Sequence, residues 1–158
     1  MKIIGIDPGI AITGWGIINH TSGQCRAVSF GCIKTKAEDS PESRLILIYK
    51  AIKKIVRKHH PDQAAIEKLF FNTNAKTAFS VGEARGVTLL ALASENLPIF
   101  QYTPLEVKIA ISGYGRADKN QIETMVKTLL ELKYIPSPDD ISDALAVAIT
   151  HGSVKKPT

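Results

Sequence analysis

Lys2-Ile3-Ile4-Gly5-Ile6-Asp7-Pro8-Gly9 is the stretch that decides this fold. An apolar run of strand length ends in a carboxylate and is stopped at once by Pro-Gly, a turn signal. A carboxylate where a core strand ends is costly unless something positive compensates it. The pattern recurs: Glu67 closes Ala64-Ala65-Ile66, and Asp140 and Asp143 open the last helical stretch. Four carboxylates on core elements point to a metal site.

Outward from that strand, residues 11–19 and 25–34 also have strand character, with Gly9 and the His20–Gly23 cluster as separators. Three strands in series with short links make an antiparallel meander. The period then changes. Over 41–59, Leu45, Ile48, Ile52 and Ile55 fall at helical spacing, while Lys50, Lys53, Lys54, Arg57 and Lys58 occupy the rest as a solvent face. Pro61 ends that helix. Strands follow at 63–67 and 98–102, with an Ala-rich helical stretch, 75–95, between them. Thr103-Pro104-Leu105-Glu106 is a helix start with a capping box. Gly113 and Gly115 break the chain. Asp118 to Gln121 opens a second helix reaching about Leu132, and Ser137-Pro138-Asp139-Asp140 a third ending near His151. The order β-β-β-α-β-α-β-α-α-α predicts an α/β domain: a five-stranded mixed sheet with helices on both faces.

At 158 residues the chain is expected to be one domain, 1–152, with a disordered tail at 153–158. A net charge of +5 and a pI near 9.2 suit a polyanionic partner without proving one. Cys25 and Cys32 are seven apart; on a regular strand they point to opposite faces and cannot pair. No leader pattern is visible and no apolar run approaches the ~20 residues needed to span a bilayer. The expectation is a cytoplasmic protein with two reduced thiols and no membrane partner.

Asp140 and Asp143 are i and i+3 and share a helix face. The run Ala144-Leu145-Ala146-Val147-Ala148 is apolar and small, so that helix can approach a sheet closely. Asp7 and Glu67 become neighbours if the first and fourth strands are adjacent. Two like charges 4 Å apart repel by about 4 kcal/mol at an effective dielectric of 20. Divalent cations relieve that repulsion, and all-oxygen ligands favour Mg²⁺ or Mn²⁺ over zinc. A pair of such ions can clamp a phosphodiester. Each acid alone has a plainer reading: Asp140 as a first-turn acid on the helix dipole, Asp143 as a solvated residue, Glu67 as a partner for a lysine. Asp7, among core neighbours, is the hardest to explain that way. His151, His59 and His60 are expected to serve as helix-end groups, and Trp15 to be core or near a dimer contact.

At these residues the chain resembles the RuvC family of crossover junction endodeoxyribonucleases, the Holliday junction resolvases. The resemblance is carried by Gly5-Ile6-Asp7-Pro8-Gly9, Thr13-Gly14-Trp15-Gly16, Gly31-Cys32-Ile33-Lys34-Thr35, Ala65-Ile66-Glu67-Lys68-Leu69-Phe70, Gly82-Glu83-Ala84-Arg85-Gly86 and Asp140-Ile141-Ser142-Asp143-Ala144-Leu145-Ala146. It implies a ribonuclease H-like fold and a metal-binding catalytic set of Asp7, Glu67, Asp140 and Asp143. It also implies two Mg²⁺ ions per site (Mn²⁺ able to substitute) and hydrolysis leaving 5′-phosphate and 3′-hydroxyl ends. The partners it implies are a four-way DNA junction, a second copy of the chain and a branch-migration motor, in recombination and repair.

Phe70 matches the family's wedge aromatic and could stack on a base opened at the crossover; its neighbour Phe71 would then pack inward. Lys108 and Lys119 match basic positions near the family's active site. Arg116 stands on a glycine-bracketed loop able to approach a phosphate backbone. Over 75–95, Ala75, Ala78, Phe79, Gly82, Gly86 and Leu89 or Leu90 suggest a close-packing helix face for a twofold dimer. The same acids could serve another ribonuclease H-like nuclease acting on RNA–DNA hybrids or other DNA structures; Asp7-Pro8-Gly9 after the first strand also suits a phosphate-binding ATPase, for which 158 residues is too short, and a DNA-binding module without catalysis is the remaining rival.

Overall fold

The structure, a computed structural model, describes residues 1–68 and 75–154. Three strands, β1 (Lys2–Asp7), β2 (Ile12–Thr21) and β3 (Gln24–Lys34), form the expected meander. Ser22 and Gly23, both at positive φ, make the tight turn between β2 and β3. Helix α1 (Pro41–His59) leads to β4 (Gln63–Glu67), α2 (Ala75–Ser94) to β5 (Ile99–Tyr102), and α3 (Pro104–Ser112), α4 (Lys119–Leu129) and α5 (Asp139–Ser153) complete the chain. The sheet order is β3-β2-β1-β4-β5, with β4 parallel to both β1 and β5. Both capping boxes form: Thr103 with Glu106, and Asp118 with Gln121. Helix α5 extends to Ser153, and residues 155–158 lie outside the described residues.

Alternation along the strands sorts the core into two layers. Ile4, Ile6, Ile17 and Ala64 face α1 and α2. Ile3, Ile18 and Ala65 face the layer that contains α3, α4 and α5. The α5 side is also where the glycines fall. A Cβ on Gly5 would overlap the Ala144 carbonyl, one on Gly14 the Asp140 carbonyl, and one on Gly16 the Leu145 side chain. Backbone therefore meets helix directly, and α5 sits lower on β1 and β2 than any side chain would allow.

Two sequence expectations fail, each for a local reason. The register between β2 and β3 slips between Ile17↔Ser29 and Ile18↔Ala27, leaving Val28 as a bulge. The bulge resets the alternation, so Cys25 and Cys32 pack against the same layer of the core rather than opposite ones. They stand opposite His20 and Gly14 respectively, well apart along the strand, and both are free thiols. His151, in the last turn of α5, does not serve the helix end but turns inward: it is buried, its Nε2 is 2.6 Å from Gln63 Oε1, and its Nδ1 is 2.6 Å from Tyr102 Oη. With the Gln63 oxygen accepting from Nε2–H, Nδ1 accepts from the tyrosine hydroxyl. This bridge, with Phe100 stacked on the imidazole at 4.4 Å, fastens the end of α5 to β4 and β5.

His60 does end a helix, capping α1 in the left-handed conformation. His59 lies beside Trp15 at 5.9 Å between ring centroids, and Trp15 packs on the α1–α2 layer. Among the described residues no helix is long and apolar enough to cross a membrane.

Candidate active site

The parity that puts Ile3 and Gly5 under α5 also puts Asp7 there, and the parity of Ala65 does the same for Glu67. The parallel register ends at Ile6↔Ile66, so Asp7 and Glu67 are the next residues on two adjacent strands at the same sheet edge. That edge, outside the carboxyl ends of parallel strands, is where open α/β sheets build their sites. Asp7 pairs across the meander with Gly14. The bare face of Gly14 receives the backbone of Asp140. Three residues on, Asp143 lines a cleft of about 260 Å³ together with Glu67, Lys108 and Lys119. A second cleft, also about 260 Å³, is lined by Asp7, Pro8, Glu67, Lys68 and Arg85. Glu67 belongs to both, so the four sequence-predicted acids share one region.

The turn after Asp7 is held from within. Buried Thr13 donates from Oγ1 to the Gly9 carbonyl at 2.7 Å, and Thr35 Oγ1 donates to the Ile10 carbonyl at 2.5 Å. Arg44 Nε in turn donates to Thr35 Oγ1 at 2.8 Å.

Electrostatics follow from this crowding. Burial, followed by the charges of Asp143, Asp140 and Glu67, pushes the Asp7 carboxyl up to about 8, against a pull downward from Lys119. Burial and then Asp143 raise Glu67, with Lys108 and Arg85 opposing. Burial raises Asp143 despite Lys119, whose Nζ lies 3.5 Å from Asp143 Oδ2. Lys119 also donates to Asp139; that bond raises the Lys119 ammonium and lowers the Asp139 carboxyl. Asp139 was not among the expected site residues.

Among the described residues no three of His, Cys, Asp and Glu are drawn to a common ligation distance. The acids form an open bowl rather than a closed cage. The donor set nevertheless fits a hard divalent ion: it is all oxygen, and burial first, then neighbouring carboxylates, hold the Asp7, Glu67 and Asp143 carboxyls above their usual range. Lys108 and Lys119 stand on the cleft wall. Arg116 is exposed on the turn between α3 and α4 and lines neither cleft. Phe70 and Phe71 lie outside the described residues.

The sequence reading missed Arg85 as a site residue. From α2 it donates to the backbone carbonyl of Glu67 and, at 2.6 Å, to Gln101 Oε1. The sequence signal that could have found it is its place in the motif Gly82-Glu83-Ala84-Arg85-Gly86, a guanidinium between small residues on the helix.

Comparison with known proteins agrees with this geometry. The family described as crossover junction endodeoxyribonuclease RuvC matches residues 3–151. The chain belongs to the RuvC family. A relative of that name from Alkaliphilus oremlandii is 54% identical over 151 residues, covering 96% of this chain and 92% of the relative. One from Moorella thermoacetica is 52% identical over 153 residues, covering 97% and 92%. Among solved structures, Thermus thermophilus RuvC superposes with a TM-score of 0.89 at 32% identity, over 97% of this chain and 94% of that one. The same protein in complex with a Holliday junction substrate gives 0.88 at 30% identity, with the same coverage. The RuvC fold is ribonuclease H-like, and the five-stranded mixed sheet and flanking helices described above are that fold.

Proposed function

We propose that this RuvC-family chain is an endodeoxyribonuclease that resolves Holliday junctions by paired, symmetric nicks. The observation that carries the reading is the convergence of Asp7, Glu67, Asp140 and Asp143 on one sheet edge. Family membership and the junction-bound relative supply the substrate.

In this reading Asp7, Glu67, Asp140 and Asp143 hold two Mg²⁺ ions, with Mn²⁺ an acceptable substitute. Bound there, such ions supply Lewis acidity at the scissile phosphate and ease deprotonation of the attacking water. The chain's own residues do the rest. Asp7, short of compensating charge, is the anchor to which a divalent cation adds most. Lys119 and Lys108 face the phosphate from the opposite wall and balance the strand's charge as it enters the bowl. Arg116 meets the backbone farther along the arm, and Phe70 opens the crossover.

The working unit is a homodimer through α2. Phe79 and Leu90 are 84% and 60% exposed on one side of that helix, and a Cβ on Gly82 or Gly86 would meet nothing within 4 Å. A twofold dimer presents two bowls to a symmetric junction. The protein would act in the cytoplasm beside a branch-migration motor.

The test compares a four-way junction, a plain duplex and an RNA–DNA hybrid, each with and without Mg²⁺. Mg²⁺-dependent cleavage of the junction alone, leaving 5′-phosphate ends, is expected. Equal cleavage of all three overturns the resolvase reading in favour of a general nuclease. Sedimentation as a monomer at micromolar concentration overturns the dimer.

A further inference from the structure

Arg85 is a cation at the acid cleft that the four-acid account does not use. It stands on α2 between two faces of the helix. Ala84, Thr88, Ala91 and Leu92 are buried, whereas Phe79, Gly82, Gly86 and Leu90 form the open side. The guanidinium points at the site end of the sheet. One arm donates to the Glu67 carbonyl at 2.5 Å and the other to Gln101 Oε1 at 2.6 Å. Gln101 lies on β5, next to β4, in register with Ile66. The fork thus spans the ends of two strands. It grips β4 at the residue where the ladder finishes: the Lys68 amide makes the closing bond, to the Tyr102 carbonyl at 2.6 Å.

This position matters for Glu67 in particular. Asp7 is followed by a turn that Thr13 and Thr35 brace. Asp140 and Asp143 ride on a helix lowered onto glycines. Glu67 sits at the very end of a five-residue strand. Its backbone carbonyl is fixed from the side by Arg85 alone among the side-chain bonds described there. A planar guanidinium with two donors in fixed geometry can hold two acceptors at once, whereas an ammonium is a point donor. Burial makes the Arg85 charge more costly, an expense that a surface arginine would avoid.

We propose that Arg85 is a positioning residue for Glu67: it clamps the exit of β4 so that the Glu67 carboxylate is presented to the shared bowl, and it ties that acid to the helix bearing the dimer face. This rests on the reading of Glu67 as a metal-holding acid. Loss of such a supporting contact typically costs about 10- to 100-fold in metal affinity or activity, because a displacement near 1 Å is enough.

The experiment uses the full chain and two variants, R85A and R85K. Mn²⁺ binding is measured by calorimetry without DNA, junction affinity in Ca²⁺, single-turnover cleavage at saturating junction, and the melting temperature. In R85A, Mn²⁺ affinity and the cleavage step are expected to fall about 10- to 100-fold while junction affinity stays within about twofold. R85K, keeping charge but not the fork, is expected to melt like the parent and still cleave slowly. Added guanidinium at millimolar concentration should restore part of the R85A rate. Wild-type Mn²⁺ affinity and cleavage rate in both variants would overturn the proposal. So would a loss that disappears once rates are corrected for the folded fraction. The Mn²⁺ isotherm needs no junction, so a parent protein that binds Mn²⁺ but ignores junctions would sink the resolvase reading and leave this one standing.

Discussion

On the α1–α2 face, Ile4, Ile6 and Ile17 hold the helices off the sheet by the width of their side chains; on the α5 face, Gly5, Gly14 and Gly16 leave bare backbone. The strands are the same, and only alternate residues differ. The aliphatic face gains stability from buried area. The glycine face gives up that area so that a helix can descend. Its descent brings Asp140 over Gly14, opposite Asp7. Both faces pack a core, and the α5 face also serves the placement of charge.

Substitutions on the two faces should therefore separate stability from turnover. The largest effect is expected for Asp7→Asn, with cleavage down about 10³-fold or more and junction binding kept or strengthened. Cleavage by this variant at the parent rate would remove the glycine face from the chemistry altogether.

Gly14→Ala comes next. Its new Cβ would overlap the Asp140 carbonyl, so α5 must shift. We expect a loss of about 1–3 kcal/mol of stability together with turnover reduced by roughly 10- to 100-fold. Ile52→Ala, in the opposite core where Ile52 is fully buried, should lose about 2–5 kcal/mol and keep its turnover per folded molecule. Denaturant melts paired with single-turnover rates decide whether the two faces differ in this way.

The smallest effect is a pH dependence. The folded chain holds the Asp7 proton up to about 8, whereas an unfolded aspartate releases it near 3.8. Between those values the folded state binds more protons, so stability falls as pH rises. Without divalent ions, the melting temperature should drop by on the order of 5 °C from pH 5 to pH 8. Asp7→Asn or added Mg²⁺ should flatten that slope. A slope unchanged by either would place the charge strain somewhere other than the bowl.

Much of this was legible in the residues. The β1 run, the period change at 41–59 and the two capping boxes give the elements, because each is set by neighbours within a few positions. Asp7 and Glu67 stood out because a carboxylate closing an apolar strand has a cost that local structure cannot relieve, and Asp140 and Asp143 because they share one face of an otherwise apolar helix. Val28 shows the limit: one bulged residue turned Cys25 and Cys32 to the same side, and nothing in their spacing announces it. His151 was misread because its partners, Gln63 and Tyr102, are 88 and 49 residues away.

The sequence alone determined the order of elements, the identity of the acids and, through six motifs, the family. Tertiary structure alone decided that Asp7 and Glu67 share an edge, that three glycines lower α5 onto it, and that Arg85 grips the end of β4. The reason is physical: propensity and periodicity act along the chain, whereas repulsion between carboxylates, steric overlap at a missing Cβ and a forked hydrogen bond act through space.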